Sequence, residues 1–233
     1  MSFKSFLWFK TAKSYYQIQF YEQALKKSID TRNYFDKALE KAEKSYEEED
    51  KNVTQLIITN LKLGLAEIEN KIARFSSKLE HAKVELGFLM GKDFFDLLLK
   101  VEKPLRAVSF PYQNWQDFLK KNPEFFNQGN SLAQNNNESL IRNLKLEFKI
   151  RSHQAFIRIL EARKKMQIAS RVSKSLRALM AIETSNYDLG LGKPLDLFDS
   201  FLIYSRHINV SLESIYNFNI AVAEWRRVTG ILP

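Results

Sequence analysis

The sequence predicts a mainly all-α protein: two repeated long antiparallel coiled-coil helical hairpins with a small mixed connector between them. Three observations predict it. Glycine (7) and proline (5) are scarce in 233 residues, so long uninterrupted helices are favoured over a turn-rich fold. A heptad seam of apolar residues runs through one predicted helix. A pattern near residue 85 returns near residue 224. With 45% hydrophobic residues, the chain can bury a sizeable core.

The first predicted helix covers about Phe6 to Tyr46. Nothing breaks it, and Trp8, Ala12, Tyr15, Ala24, Ala38 and Ala42 recur at helical spacing. The polar run Glu47 to Asn52 offers no packing residue and reads as a reversal. A second helix follows from about Val53 to Met90. Its Leu61, Leu65, Ile68, Ile72, Phe75, Leu79, Ala82 and Leu86 alternate steps of four and three, the seam of a coiled coil. Gly91 stops it. At about 1.5 Å per residue this helix spans roughly 55 Å.

Between Lys92 and Asn122 the character changes. Pro104, Pro111 and Pro123 punctuate the segment, Val101 to Phe110 suits a short strand, and Trp115 to Lys121 a short helix. The segment is too rich in Phe, Trp and Leu to stay solvated, so it reads as a compact connector. Gln128 to Asn137 is an asparagine-rich loop or frayed helix. A third long helix is expected over Glu138 to Tyr187, with Ile141, Leu144, Phe148, Leu160, Val172, Leu176 and Leu179 as candidate core. Asp188 to Leu195 forms the second reversal. Pro194 suits the first turn of a fourth helix that runs to Thr229 and stops at Gly230.

The repeat is explicit at the helix ends. Ala82-x-x-Glu85-Leu86-x-x-Leu89-x-Gly91 matches Ala221-x-x-Glu224-Trp225-x-x-Val228-x-Gly230 at an offset of 139. Tyr46 and Tyr187 each precede a reversal, and pairing the reversals needs a two-residue adjustment. This divides the chain into a first hairpin (1–91), an equatorial connector (92–122) and a second hairpin (123–233).

Several functions are argued against. Without cysteine there are no disulfides, thiolate nucleophiles or cysteine metal ligands. His81, His153 and His207 lie far apart, outside any metal-ligand spacing. No carboxylate pair, phosphate-binding glycine loop or nucleophile with its base stands out, so neither catalysis nor a cofactor is expected. The net charge of +9 fits an acidic partner, nucleic acid or an ordinary solvated surface. The basic stretch Arg158, Arg163, Lys164, Lys165, Arg171, Lys174 and Arg177 could track phosphates, but it lacks interleaved aromatics and equally fits a solvated face. The start lacks an apolar core with a cleavage site, and no window holds about 18 uncharged apolar residues. As given, the chain is expected to be soluble, without a signal peptide.

Three stretches, in order, resemble the TolC-type outer-membrane efflux proteins. Asn122-Pro123-Glu124-Phe125 resembles the start of that family's second repeat. Tyr187-x-x-Gly190-x-x-x-x-Leu195-Asp196-Leu197-Phe198-Asp199 is similar to its tip and returning helix, and Tyr216-Asn217-x-x-Ile220 through Gly230 to its end. The resemblance implies a periplasmic, outer-membrane-associated α-helical tunnel, a trimer, docked to an inner-membrane transporter through a periplasmic adaptor protein. It implies that Asp196 and Asp199, with Tyr187 and Lys193, line the channel entrance. It implies that the tips carrying Tyr46, Glu49, Val53, Gly190, Gly192 and Leu195 dock the adaptor. The family's tip arginine is replaced here by Gly192, and Glu49 stands where glycine is frequent. The family's membrane β-hairpins have no counterpart, so the chain is either a trimmed soluble segment or a natural barrel-less relative. The alternative role is a helical scaffold that binds a partner without transport.

Overall fold

The computed structural model describes residues 3–49, 52–91, 103–125 and 138–232. Among them six helices occur: α1 (Phe3–Glu47), α2 (Gln55–Leu89), α3 (Trp115–Lys121), α4 (Glu138–Asp188), α5 (Pro194–His207) and α6 (Val210–Thr229). With 51 residues, α4 extends about 75 Å at about 1.5 Å per residue. No described helix is long and apolar enough to cross a membrane.

The architecture is a layer of long staves. α1 and α2 form one antiparallel hairpin; α4 and the α5–α6 pair form the other. α6 packs against α1 and joins the hairpins, while α5 also touches α2 and α1. The inner seam of α2 lies as its heptads predict: Leu61, Ile68, Leu79, Ala82 and Leu86 are buried, and Leu65, Ile72 and Phe75 half-buried. Gly64 lies within that seam. A Cβ there would sit 2.6 Å from Phe35 Cε1 and 2.7 Å from Leu202 Cδ2, so its lack of a side chain lets α1, α2 and α5 converge.

The fourth predicted helix is in fact two. It breaks at Ile208 and Asn209, where the Asn209 amide donates to Ser28 Oγ across the layer (3.2 Å). Two of the expected core residues of α4, Leu144 and Val172, are exposed, whereas Phe148 and Leu160 pack into the core. The asparagine-rich segment from Gln128 to Asn137 lies outside the described residues.

The strand expected before Phe110 does not form among residues 103–110, so the connector's described part is helix α3 plus an extended strap. A strand needs a neighbouring strand to satisfy its backbone. Here side chains do that work. Asn219, fully buried in α6, accepts from Val108 N–H (2.9 Å) and donates to the Arg106 carbonyl (2.8 Å). The Arg163 guanidinium of α4 donates to the carbonyls of Phe110 (2.7 Å) and Tyr112 (2.9 Å). It also lies over the Phe110 and Phe218 rings. Arg163 therefore faces inward and is no part of a phosphate-tracking surface. Beneath the strap, Phe110, Phe118, Phe156 and Trp225 form an aromatic core, with ring centroids 5.4 Å apart for Phe110 and Trp225 and 5.2 Å for Phe118 and Trp225.

Candidate functional site

Both reversals end in one place. Ala42 and Val53 from the first hairpin share a core cluster with Leu197, Phe198 and Phe201 from the second, and Tyr187 packs against it. Lys41 Nζ lies 4.2 Å from the centre of the Tyr187 ring, a cation–π contact that ties tip to tip. The molecule thus has one pole where both hairpins turn.

The turns are built alike. Among the described residues, each has one in the left-handed region: Glu49 (φ 59°) in the first, Gly190 (φ 71°) in the second. Those positions are 141 apart, the 139-residue offset plus the two-residue adjustment. The helix-ending Gly91 (φ 66°) and Gly230 (φ 74°) are also a matched pair, at 139. Thr54 caps α2, its hydroxyl accepting from the Ile57 N–H at 3.4 Å. In the second turn, the Leu191 and Gly192 N–H groups both donate to the Asn186 carbonyl at 2.9 Å. A Cβ on Gly192 would lie 3.0 Å from Asn186 Cβ and 3.1 Å from Tyr187 N. The chain approached closely at Gly192 is therefore its own.

Glu49 adopts a backbone that disfavours side chains. Left-handed geometry costs a non-glycine residue about 1–2 kcal/mol, and glycine forfeits about 0.5–1 kcal/mol of that advantage through its freer unfolded chain. Glu49→Gly should therefore stabilise the protein by about 0.5–1 kcal/mol, a rise of about 1–3 °C in a thermal melt of a chain this size. An unchanged or lowered melting temperature would contradict this account of the first turn.

Asp196 and Asp199 are exposed on α5, while Leu197, Phe198 and Phe201 between and beyond them are buried. One helix face thus presents both carboxylates, with Ile203 one turn further along. Asp196 lies in the first turn of α5, where the helix dipole favours an anion. Lys193 is exposed at the N-cap and makes no side-chain capping bond. Tyr187 is half-buried; Tyr46, Gly190 and Leu195 are exposed; Gly192 is half-buried. Val53 is buried and anchors the first turn from inside. Sequence reasoning missed the most apolar parts of this pole: Leu191 (80% exposed), Leu189 (71%) and Leu56 (67%). Leucines alternating with glycines in a turn were the available signal.

The flanks were missed as well. α2 and α4 bound the layer, and each carries exposed apolar residues along its outer side, interspersed on α2 with small and polar ones. On α2, Leu56, Leu63, Asn70, Ser77 and Val84 recur every seven residues, with Thr59, Ala66 and Ala73 interleaved, and all are exposed. On α4, Leu146, Ile150, Ile157, Ile168, Val172 and Ile182 are exposed along the side opposite Phe156 and Ile159. Part of that flank, from Ile168 and Val172 across to Val210 and Ala221 of α6, floors an open groove. Among the described residues, no group of three or more His, Asp or Glu side chains is placed to hold a metal ion.

No protein-family model and no curated protein matches the sequence. Solved structures do match the fold. The outer-membrane channel OprN superposes with a TM-score of 0.74 at 12% identity, covering 97% of this chain and 66% of that one. CusC, described by conformational changes that accompany folding and transmembrane channel formation, superposes at 0.66 and 12% identity, covering 97% of this chain and 79% of that one. Both are described as channels, OprN as one of the outer membrane. The chain spans just under two thirds of OprN's length. The fold is the one that the succession of motifs resembles.

Proposed function

We propose that the chain is a set of staves in a hollow helical tunnel, closed by several copies around an axis. A trimer, as the family resemblance implies, would be completed when the α2 flank of each copy packs against the α4–α6 flank of the next. The carrying observation is the second heptad face of α2, exposed from Leu56 to Val84 at the opposite edge from the exposed apolar face of α4. A layer with two such edges leaves apolar surface in water that only lateral neighbours can cover. Different faces meeting head to tail close into a ring. The fold shared with OprN and CusC supports this reading. In this setting the tip pole faces a periplasmic adaptor protein and an inner-membrane transporter, with the exposed leucines and Tyr46 as its apolar contacts. The cargo passes through the lumen without chemical change.

Because the chain has no native cysteine, the edge contact can be tested directly. Ser77→Cys and Ile168→Cys place one thiol on each flank at similar height, since Phe75 packs near Leu212 and Ile168 lies in a groove with Val210. Oxidation of the double variant should yield closed oligomers, trimers foremost, and neither single variant should exceed a dimer. A monomeric mass with no cross-linked ladder would leave the scaffold reading instead.

Asp196 gives a second, opposed pair of effects. Threefold symmetry would bring six carboxylates from Asp196 and Asp199 together and oppose close approach of the tips. Asp196→Asn should cost the monomer about 0.3–1 kcal/mol through loss of the helix-dipole interaction. The same change should shift the monomer–oligomer equilibrium toward the oligomer, most strongly at low salt. Sedimentation and thermal melts on one sample would read both signs. Weakened assembly would remove Asp196 from the entrance.

A further inference from the structure

The basic stretch of α4 divides once it is folded. Arg163 turns inward to the strap, and Lys165 pairs with Glu161 of its own helix (2.6 Å). Arg158 and Lys164 stay exposed and make no ion pair among the described residues. Both belong to the outer edge of α4: Arg158 adjoins the exposed Ile157, and Lys164 follows Ile157 by one heptad. On α2, the interleaved series Thr59, Ala66 and Ala73 reaches Glu80 seven residues later. Glu80 is the one acid among these outer positions, and it pairs only loosely with the chain, through Lys83 one turn along the same helix (3.1 Å).

The heights of these groups follow from contacts within one copy. Phe20 of α1 meets Phe75 of α2 and Tyr216 of α6, with ring centroids 6.1 and 5.4 Å apart. Arg163 of α4 lies 5.8 Å from the Phe218 ring of α6. Counted from these contacts at about 1.5 Å per residue, Glu80 stands about 3 Å to the tip side of Arg158 and about 6 Å beyond Lys164. A ring closed by rotation about an axis along the staves keeps every residue at its own height. The acid on one edge is therefore level with the gap between the two cations on the other. Closing the ring covers the α4 edge, and a covered cation without a counter-charge opposes closure.

Resting on the tunnel reading above, we propose that Glu80 of each copy inserts between Lys164 and Arg158 of the next and neutralises that edge as it closes. The basic stretch then serves a second copy of this chain, not a nucleic acid. Arg158 offers a planar fork to the carboxylate and Lys164 a point charge.

Carbodiimide coupling of the native full chain tests the contact without any variant, because it joins a carboxylate to a lysine amine it touches. Within one copy α1 and α6 stand between α2 and α4, so a Glu80–Lys164 link must join two chains. An equal mixture of heavy-isotope and ordinary chains should therefore give linked peptides of mixed isotope. In sedimentation, Glu80→Arg should weaken association about tenfold at low salt. Arg158→Glu should weaken it as well, although it lowers the net positive charge. The double swap keeps the net charge and should restore association to within about threefold of the native chain. Glu40→Arg, an equal charge change at an exposed site on α1, is the control. Oligomers that yield no Glu80–Lys164 link, or that Glu80→Arg weakens no more than Glu40→Arg does, overturn the contact and leave the tunnel standing. A chain that stays monomeric at every concentration removes the tunnel and this contact together.

Discussion

Replacing Trp225 with alanine is expected to lower the unfolding free energy by about 3–5 kcal/mol, enough to unfold a large fraction of molecules at body temperature. The indole is buried among Phe110, Tyr112, Phe118 and Phe156, which belong to the strap, α3 and α4. One deletion therefore opens a cavity where three elements meet α6, and none can collapse into it alone. Trp225→Phe is the control. The indole Nε1 has no hydrogen-bond partner among the described residues, so phenylalanine loses volume but no bond. It should cost less than half as much as alanine. Chemical denaturation followed by helical circular dichroism measures both, and near-equal losses would show that the cluster does not depend on packing volume.

Asn219→Leu should cost about 2–4 kcal/mol, for a different reason. Leucine is similar in size and apolar, so the cavity term is small. What is lost is the pair of bonds to Val108 N–H and the Arg106 carbonyl. Each buried backbone group left without a partner costs about 1–3 kcal/mol. The strap can lower that cost only by lifting into water, which adds a local signature. Trypsin should cut after exposed Arg106 at least tenfold faster in Asn219→Leu than in the native chain, before global unfolding. Unchanged cleavage with unchanged stability would mean that the strap is held by its aromatic contacts alone.

Asn219 also shows where sequence reading stops. The long helices were legible because their inner faces keep period: the Leu61-to-Leu86 seam packs as the pattern predicts. The repeat was legible because turn geometry demands particular residues, and the paired left-handed positions at Glu49 and Gly190 follow its offset. The strap was not legible. Val101 to Phe110 has a strand's composition, but the groups that satisfy its backbone are side chains more than 50 residues away on two helices. Arg163 reads as one more charge in a basic run until its carbonyl partners are placed. The break after His207 carries neither proline nor glycine, and the contact made there, from the Asn209 side-chain amide to Ser28 Oγ, is across the layer and far away in sequence. The outer seam of α2 was masked because Asn70 and Ser77 occupy two of its five heptad positions. At the tip, the aspartates were singled out through family resemblance, and the exposed leucines beside them were not.

The contact between α1 and α6 has a temporal cost. Asn209 and Ser28 meet although they are 181 positions apart in the chain. During synthesis the first hairpin emerges and pairs early, but the side of α1 that α6 covers must wait until nearly the whole polypeptide has been made. For that interval Phe20, Ala24 and their neighbours are bare to the surroundings, and a holding chaperone that shields α1 would protect the nascent protein from aggregation.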